Sequence, residues 1–300
     1  MEGGRVSRHG RGQHKSPSKT RDAVSLVFSF FLSLALLSEL LCVIAYASVF
    51  SKKGFISVFD GEYYQYVLDE ITKQATYFTA PTGIDASVLN DVFKLEEVRK
   101  DVGRCVSEAY DGNAYEPHSK QAEERLARNV TASLSGSSVE PGENQEKIVD
   151  AYVEDIMEIY RSNIKLPGLD ALARVRNKSI QYLIIAMGVI ASFGVVLAVT
   201  ILKSHHYVHR GMRYIAYAFG GAALMSILAP AAMRISGFYK GIGLTPRYFY
   251  HFGVSFIDRV LFLCMIGGIA FLILTLVLIV IINNKRKAIM SKNSRVPLWT

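Results

Sequence analysis

Long apolar blocks alternate with polar segments along this chain. The first block, residues 23–50, contains a single charged residue, Glu39. Three further blocks are almost free of charge and lie at residues 182–202, 212–233 and 260–282. About 20 apolar residues, each rising 1.5 Å along a helix, cross a hydrocarbon core of roughly 30 Å. The pattern therefore predicts an all-α integral membrane protein with four transmembrane helices.

The longest polar segment, residues 51–178, separates the first two apolar blocks. Its apolar positions recur at helical spacing, and no strand-like alternation is sustained along it. Amphipathic helices are expected from Glu62, over 95–109, over 119–134 and over 145–164, with a short helix after Asp85. Leu169 to Lys178 should continue as a helix into the second span. We therefore expect a helical domain whose two ends lie close together, because both lead into spans.

Basic residues cluster at both ends of the chain and in one short turn. The tails, 1–22 and 283–300, carry six and five Lys or Arg residues, and the turn 203–213 carries three. Because cytoplasmic loops are enriched in Lys and Arg, we expect both termini in the cytoplasm of a plasma membrane. Residues 51–178 and the loop 234–257 would then be extracellular. The tail 1–22 has almost nothing apolar to pack, which predicts disorder.

Charge is distributed unevenly around a formal total of +8. Residues 51–178 hold 22 acidic and 16 basic residues, so the positive excess lies beside the apolar blocks. That distribution is typical of a protein in a lipid bilayer and argues against nucleic acid as a partner. A cleaved signal peptide is the alternative for the first 50 residues, since Ala45-Tyr46-Ala47 resembles a cleavage site. The apolar run is longer than the usual h-region of about 7–15 residues.

Glu39 is the candidate functional residue within the spans. A carboxyl group at that depth costs about 2.5–3.5 kcal/mol on insertion scales and should face protein or water. On a helical wheel it shares one side with Ser25, Ser29 and Ser33, a stripe typical of helix–helix contacts. Glu39 is then either a proton, cation or coupling site, or a protonated acid hydrogen-bonded to a neighbouring helix. The structural role is favoured because no other charge deep in the spans partners it.

An aromatic cluster follows Thr245-Pro246, which has the form of a helix cap and first helical residue. The cluster consists of Tyr248, Phe249, Tyr250 and Phe252, with Phe256 one turn later. Aromatic residues are enriched where a membrane meets water, so these side chains predict an interfacial helix that anchors the chain among lipid headgroups. A platform for stacking a ligand is the less favoured alternative.

Metal and disulfide chemistry finds little support in the sequence. His205 and His209 have the i, i+4 spacing of metal ligands, but no Asp, Glu or Cys accompanies them, which favours a basic turn beside headgroups. Cys42 and Cys264 lie in apolar blocks, so Cys105 has no partner within its polar segment. Only an intermolecular bridge through Cys105 stays open. We predict no metal site and no cofactor.

The sequence also lacks the motifs of common enzymes. GxxxxGK[ST], GxSxG, HExxH and CxxC are all missing. The acidic residues of 51–178 are spread along its helices, and those that are adjacent, such as Glu96 and Glu97, point to different sides of a helix. These observations predict a non-enzymatic protein whose external domain binds a ligand or a protein partner, as a sensor or accessory protein would. A homo-oligomer is compatible with this hypothesis.

Two resemblances extend the hypothesis. The segments APTGIDASVLNDVF, IKLPGLDALARVR and ISGFYKGIGLTPRYFY resemble uncharacterised four-span membrane proteins of Gram-positive bacteria, which implies a bacterial plasma-membrane protein but no function. The order of tail, span, external domain and three further spans resembles FtsX-like permease proteins. That layout implies, as the alternative function, a membrane subunit of a transport or ATPase-driven complex. The turn before Met212 is much shorter than the cytoplasmic segment of that family.

Overall fold

A computed structural model describes residues 18–135, 143–205 and 207–293 of the chain. The structure is 87 % helical, and the described ranges contain no strands. The α-helices in these ranges are α1 (Ser18–Ala45), α2 (Lys52–Ile56), α3 (Gly61–Thr79), α4 (Leu95–Asp111), α5 (Lys120–Ser135), α6 (Glu143–Ile164), α7 (Leu169–Ser204), α8 (Val208–Ser236) and α9 (Arg247–Asn293). A π-helical segment, Tyr46–Phe50, follows α1, and 3-10 turns span Ala80–Thr82, Ala86–Leu89 and Phe238–Gly241.

Four of these helices, α1, α7, α8 and α9, are long and apolar enough to cross a membrane. α7, α8 and α9 each contain one apolar block, and the first block extends from α1 through the π-helical segment after it. The predicted all-helical class and the four helices long enough to span a membrane are confirmed. The predicted tails fall partly outside the described residues, because the description begins at residue 18 and ends at residue 293.

One compact unit contains the chain up to Ser38, Ile190–Met225 and the residues from Gly268 onward. A small apolar core of Leu32, Leu197, Ile201 and Ala218 holds its helices together. The predicted serine stripe of α1 is buried here. Ser29 donates a hydrogen bond to the Tyr214 carbonyl oxygen at 2.7 Å. A Cβ at Gly221 would lie 3.3 Å from Ser33 Cβ, so a glycine allows the close approach of α8 to α1.

The second unit contains Glu39–Val189 and Ser226–Gly267. Its core is built where α3 packs against α4 and α6, and α5 packs against α6. Buried side chains recur three or four positions apart along each helix, as an amphipathic helix requires. The largest fully buried ones are Tyr63, Val67, Ile71, Val98, Val102, Leu126, Ile156, Met157, Tyr160 and Ile164. Burying one such side chain contributes about 1.5–3 kcal/mol, so this core is the main source of the domain's stability.

Local signals set the ends of these helices. The Asp60 carboxylate accepts a hydrogen bond from the Tyr63 N–H at 2.8 Å and thereby begins α3. Gly112, with a φ of +84°, ends α4 in the left-handed conformation that glycine adopts at little cost. Asp85 also caps as predicted, but the helix after it is the single 3-10 turn Ala86–Leu89. Asn90 then has extended backbone, because Asn and Asp residues compete with continued helix.

Two helices are continuous from this unit into apolar blocks. α7 runs unbroken from Leu169 to Ser204, as predicted. α9 is a single helix of 47 residues, whereas the sequence suggested an interfacial helix in 234–257, a separate span and a tail. No proline interrupts the chain between Arg247 and Asn293, so nothing in the sequence forces the helix to end.

The two ends of the helical domain meet through one side chain. The Arg176 Nε donates to the Phe50 carbonyl oxygen at 3.1 Å, and its Nη1 donates to the Tyr110 carbonyl oxygen at 3.0 Å. The guanidinium also lies 5.0 Å from the centre of the Tyr110 ring. Phe50 ends the π-helical segment, where carbonyl groups lack partners within the helix. Arg176 therefore joins the beginning and the end of the domain, as the sequence predicted for segments that lead into spans.

Candidate functional site

An apolar pocket of about 350 Å³ lies within the second unit. It forms where the π-helical segment after α1, the short helix α2, the turn before α7 and the first turns of α9 come together. The lining residues are Val49, Phe55, Leu166, Pro167, Gly168, Leu169, Leu172, Phe249, Phe252 and Phe256. None of these side chains carries a charge or a hydrogen-bonding group. The pocket is therefore suited to an apolar group and offers nothing for acid–base or nucleophilic chemistry.

The helix α2 places Phe55 in the wall of this pocket. The Ser51 hydroxyl oxygen accepts the Gly54 N–H at 3.3 Å and caps α2. A Cβ at Gly54 would overlap the Ala47 carbonyl oxygen, so only glycine lets α2 lie this close to the π-helical segment after α1. Phe55 is consequently buried, and its ring lies 5.5 Å from the ring of Tyr110.

The turn that begins α7 forms the opposite wall. Gly168 has a φ of +81°, which a residue with a side chain adopts only at a cost. The Leu169 N–H donates to the Leu166 carbonyl oxygen at 3.1 Å, and the Leu172 N–H donates to the Gly168 carbonyl oxygen at 2.9 Å. These bonds fix three leucine side chains around the pocket at the point where α7 begins.

The aromatic residues of α9 pack against rings of α3 and of the segment before it. Tyr248 is only 3 % exposed and lies perpendicular to Tyr63, with 6.0 Å between ring centres. Phe252 stacks on Phe59 at 5.1 Å and contacts Phe55 at 5.5 Å. Tyr248 therefore belongs to the core of the helical domain, and Phe252 is half-buried against that core. The interfacial position of these residues in a membrane stays a prediction. Their i, i+4 spacing marks a helix face, but spacing alone does not identify the surface that this face covers.

The other two predicted aromatic residues lie at the edge of this contact. Phe249 is half-buried and lines the apolar pocket. The Tyr250 hydroxyl donates to the Lys240 carbonyl oxygen at 2.8 Å and so holds the 3-10 turn before α9. The cluster therefore divides into a core face and a pocket face, a division that the sequence did not reveal.

Polar contacts hold the start of α9 against α3. His251 Nε2 lies 3.0 Å from an Asp60 carboxylate oxygen. The Arg247 guanidinium lies 4.4 Å from the centre of the Tyr66 ring and donates to the Tyr66 hydroxyl oxygen at 3.2 Å. The sequence alone does not pair His251 with Asp60, because the two residues are distant along the chain. These contacts fix the position of the aromatic face of α9.

A polar pocket of about 320 Å³ adjoins the apolar one, and Leu166 and Leu169 line both. Its polar lining comprises Asn113, Tyr115, Glu116, Lys165, Asp170, Arg174 and Asn177. Cys105 also lines it, but this thiol is 6 % exposed, and burial raises its pKa to about 11. A protonated, buried thiol is a poor nucleophile and a poor candidate for the intermolecular bridge that the sequence left open. The polar pocket offers hydrogen bonds and balanced charges next to an apolar cavity.

Glu39 and His205 were the other candidates from the sequence. Glu39 Oε2 is buried and has no hydrogen-bond partner among the described residues. His205 Nε2 lies 2.9 Å from the Ser25 hydroxyl oxygen, and its ring stacks on Tyr214 at 5.1 Å. Within the described ranges, no three His, Cys, Asp or Glu side chains are grouped so that they could hold a metal ion. His205 thus packs between helices, and Glu39 stays a candidate for either role.

The apolar pocket is the site that the sequence did not reveal. Its one sequence signal is the group Leu166-Pro167-Gly168-Leu169, an apolar turn where a solvent-exposed turn would be polar.

No protein-family model, curated protein or solved structure matches this chain.

Proposed function

We propose that this chain is a non-enzymatic, multi-pass plasma-membrane protein that binds an amphiphilic ligand as a sensor or accessory protein. Residues 51–178 would be extracellular and both termini cytoplasmic. The observation that carries the ligand proposal is the apolar pocket beside a polar one. The orientation is supported by the basic residues of both tails and of the turn 203–213.

The size and lining of the pocket favour a small ligand with an apolar portion. Small-molecule sites are concave, mostly apolar and about 300–1,000 Å³ in volume, a range that includes this pocket. Removing apolar surface from water contributes about 25 cal/mol per Å², so 150 Å² of ligand surface would contribute about 4 kcal/mol before the costs of binding. The polar part of the ligand would lie toward Lys165, Arg174 and Asn177, beyond the shared leucines.

The pocket's walls connect ligand binding to the spans. Val49 follows α1, Leu172 lies in the first turn of α7, and Phe256 lies in α9. A ligand that prefers one arrangement of these three walls would shift the population of that arrangement. This connection supports a receptor-like role in which a separate partner reads the state of the helices.

Photo-labelling would test the ligand. The full chain in nanodiscs would be exposed to palmitate carrying a diazirine, and labelled peptides would be mapped by mass spectrometry. We expect saturable labelling of peptides 166–172 and 249–256. Leu172→Trp should fill the pocket and abolish this labelling. Probe dissolved in the bilayer should still label the apolar block 260–282 in this variant. Labelling of the pocket peptides that rises without saturation would contradict the proposal, because it would reflect ordinary lipid contact.

Val175→Trp provides the matched control. Val175 lies one turn further along α7, is 60 % exposed and does not line the pocket. The same bulky residue at this position should leave labelling of 166–172 and 249–256 unchanged. Equal loss in both variants would indicate that tryptophan disturbs α7 in general, and the pocket would lose its support.

Two further measurements would test orientation and partners. A cysteine introduced at exposed Glu124, in a chain whose native cysteines are replaced, should react with a membrane-impermeant maleimide on intact cells. A cysteine at exposed Lys287 should react only after lysis. Affinity capture of the full chain from native membranes would reveal a stoichiometric cytoplasmic ATPase if the FtsX-like alternative holds. Such a partner would replace the receptor-like proposal.

A further inference from the structure

A second polar pocket, independent of the proposed ligand site, lies in the other unit. Its volume is about 310 Å³, and its lining residues are Asp22, Arg210, Arg213, Tyr214 and Tyr217. The four residues from α8 have the spacing i, i+3, i+4 and i+7, so they share one face of that helix. Asp22 contributes from the start of α1. The lining is almost entirely polar, in a part of the chain that otherwise consists of apolar helices.

Two arginine side chains give this pocket its positive charge. Among the described residues, neither Arg210 nor Arg213 lies within ion-pair distance of a carboxylate. Arg213 Nη2 donates a hydrogen bond to the Tyr217 hydroxyl oxygen at 3.3 Å, which orients its guanidinium along the helix. Asp22 supplies one negative charge against two positive ones. Within the described ranges, the pocket therefore has an excess positive charge and several guanidinium N–H groups without an acceptor.

The surrounding structure holds this arrangement in place. The contacts of His205 with Ser25 and Tyr214 fix the turn before α8 against α1. Burial lowers the pKa of His205, so its ring stays neutral and adds no charge of its own. Arg210 lies in the first turn of α8, where the helix dipole favours an anion.

The position of the pocket along the helices indicates the source of its ligand. Asp22 directly precedes the apolar block that starts at Ala23. Arg210 lies two residues before Met212, where the next block starts, and Arg213 is the second residue of that block. Residues at the ends of apolar blocks lie at the level of lipid headgroups. Arginine forks match the oxygen geometry of phosphate, and tyrosine hydroxyls can donate to the same group.

We propose that Arg210, Arg213 and Tyr217 form a binding site for a phosphate group, at the level where a membrane exposes phospholipid headgroups. Either an anionic lipid or a free phosphate ion could supply that group. Asp22 limits the affinity through charge repulsion, so its removal strengthens binding.

The test is calorimetric titration of the full chain in a neutral maltoside detergent. One arm uses dihexanoyl-phosphatidylglycerol and the other uses inorganic phosphate. Saturable binding of both probes would show that the phosphate group suffices. Binding of the lipid alone would identify a headgroup site. If neither probe binds, the proposal is overturned.

Variants locate the binding at this pocket. Arg210→Gln with Arg213→Gln should weaken binding at least about 10-fold, since two charge-assisted contacts are lost. Lys203→Gln with Lys285→Gln removes the same charge from exposed positions outside the pocket and should change binding less than about two-fold. Equal weakening of binding in the arginine and lysine double variants would show that the probes bind through general electrostatic attraction. That result would overturn the proposed site.

Two milder variants serve if the arginine pair fails to fold or insert. Tyr217→Phe removes one hydroxyl and should weaken binding about three-fold, on the scale of one hydrogen bond. Asp22→Asn should strengthen binding by a similar factor, because it removes a negative charge that repels the phosphate group. Opposite shifts from these variants are a signature that damage to the fold does not produce, and unchanged binding in both would refute the proposal.

Discussion

His251 Nε2 lies 3.0 Å from both carboxylate oxygens of Asp60, far away along the chain. The same carboxylate accepts the Tyr63 N–H and begins α3. The Asp60 side chain thus caps α3 and also binds His251 at the start of α9. The alignment of the aromatic faces of α3 and α9 depends on this contact.

Replacing Asp60 should have an effect that depends on pH. Burial alone would raise the pKa of Asp60, but hydrogen bonds from Tyr63 and His251 outweigh it and hold the pKa below its ordinary value of 3.8. A carboxyl group with a lowered pKa stabilises the fold fully above pH 3.8, and this stability is lost as the pH falls through the lower value. Asp60→Ala should lower the free energy of unfolding by about 1–2 kcal/mol at pH 7. This difference between the wild type and the variant should become smaller below pH 3.8.

Thermal unfolding in detergent between pH 3 and 7 measures this gap. Asp60→Asn is the matched control, because Asn caps helices nearly as well as Asp but carries no charge. Asp60→Asn should lower the free energy of unfolding only by the contribution of the His251–Asp60 ion pair. That contribution is about 0.2–1 kcal/mol, since the pair is partly exposed. A gap for Asp60→Ala that stays constant down to pH 3 would contradict the role of the ionised carboxylate.

Tyr248 and Tyr250 should respond differently to alanine. Tyr248 is buried against Tyr63, so Tyr248→Ala should cost about 3–5 kcal/mol, as for other large buried aromatic residues. Tyr250 is half-buried and makes one hydrogen bond to Lys240, so Tyr250→Ala should cost about 1 kcal/mol. Chemical unfolding in detergent measures both costs. Equal, small effects would favour the prediction that both residues are lipid anchors.

The buried Asp101 carboxylate allows a comparison of two tyrosines. Tyr160 donates its hydroxyl to Asp101 Oδ2 at 2.7 Å, whereas Tyr115 donates to Oδ1 at 3.4 Å. Tyr160→Phe should therefore lower the free energy of unfolding by about 1.5–3 kcal/mol, and Tyr115→Phe by about 0.5 kcal/mol. Urea unfolding of the full chain in detergent measures the two values. A larger loss for Tyr115→Phe would mean that the longer bond is the stronger one in solution.

Two glycines should respond to alanine with opposite signs. At Gly54 a Cβ would overlap the Ala47 carbonyl oxygen, so Gly54→Ala should cost at least about 2 kcal/mol. At Gly103, within α4, a Cβ meets nothing within 4 Å, so Gly103→Ala should add about 0.5–1 kcal/mol through lower backbone entropy in the unfolded chain. Melting temperatures of the two variants in the same detergent test this difference. A tolerated Gly54→Ala would show that α2 can move away from the first span.

The sequence predicted the parts of the fold that depend on local pattern. Apolar length identified the four long helices, and spacing three and four apart identified α3, α4 and α6 within two or three residues. The cap at Asp60 was missed by one position because Gly61 gives no helical signal. The helix after Asp85 was overestimated, because its apolar residues insert into the core from a turn.

Long-range contacts lay beyond the reach of sequence patterns. Phe252 and Phe59 are nearly 200 positions apart, and nothing in the spacing of either residue identifies the other. The apolar pocket follows from that contact, since its walls exist only once α9 has packed on α2 and α3. Arg210 and Arg213 were recognised as basic residues of a turn, but their common face with Tyr217 needed the start of α8 to be known.

The Arg176 contact with Phe50 gives the helical domain the character of an insertion. A segment whose first and last residues touch can be exchanged between proteins, or lost, without separating the elements on either side of it. The helices that enter and leave it would need only a short connection in its place. In evolutionary terms, such a contact is typical of a domain inserted between two helices that existed before it, with Arg176 at the junction.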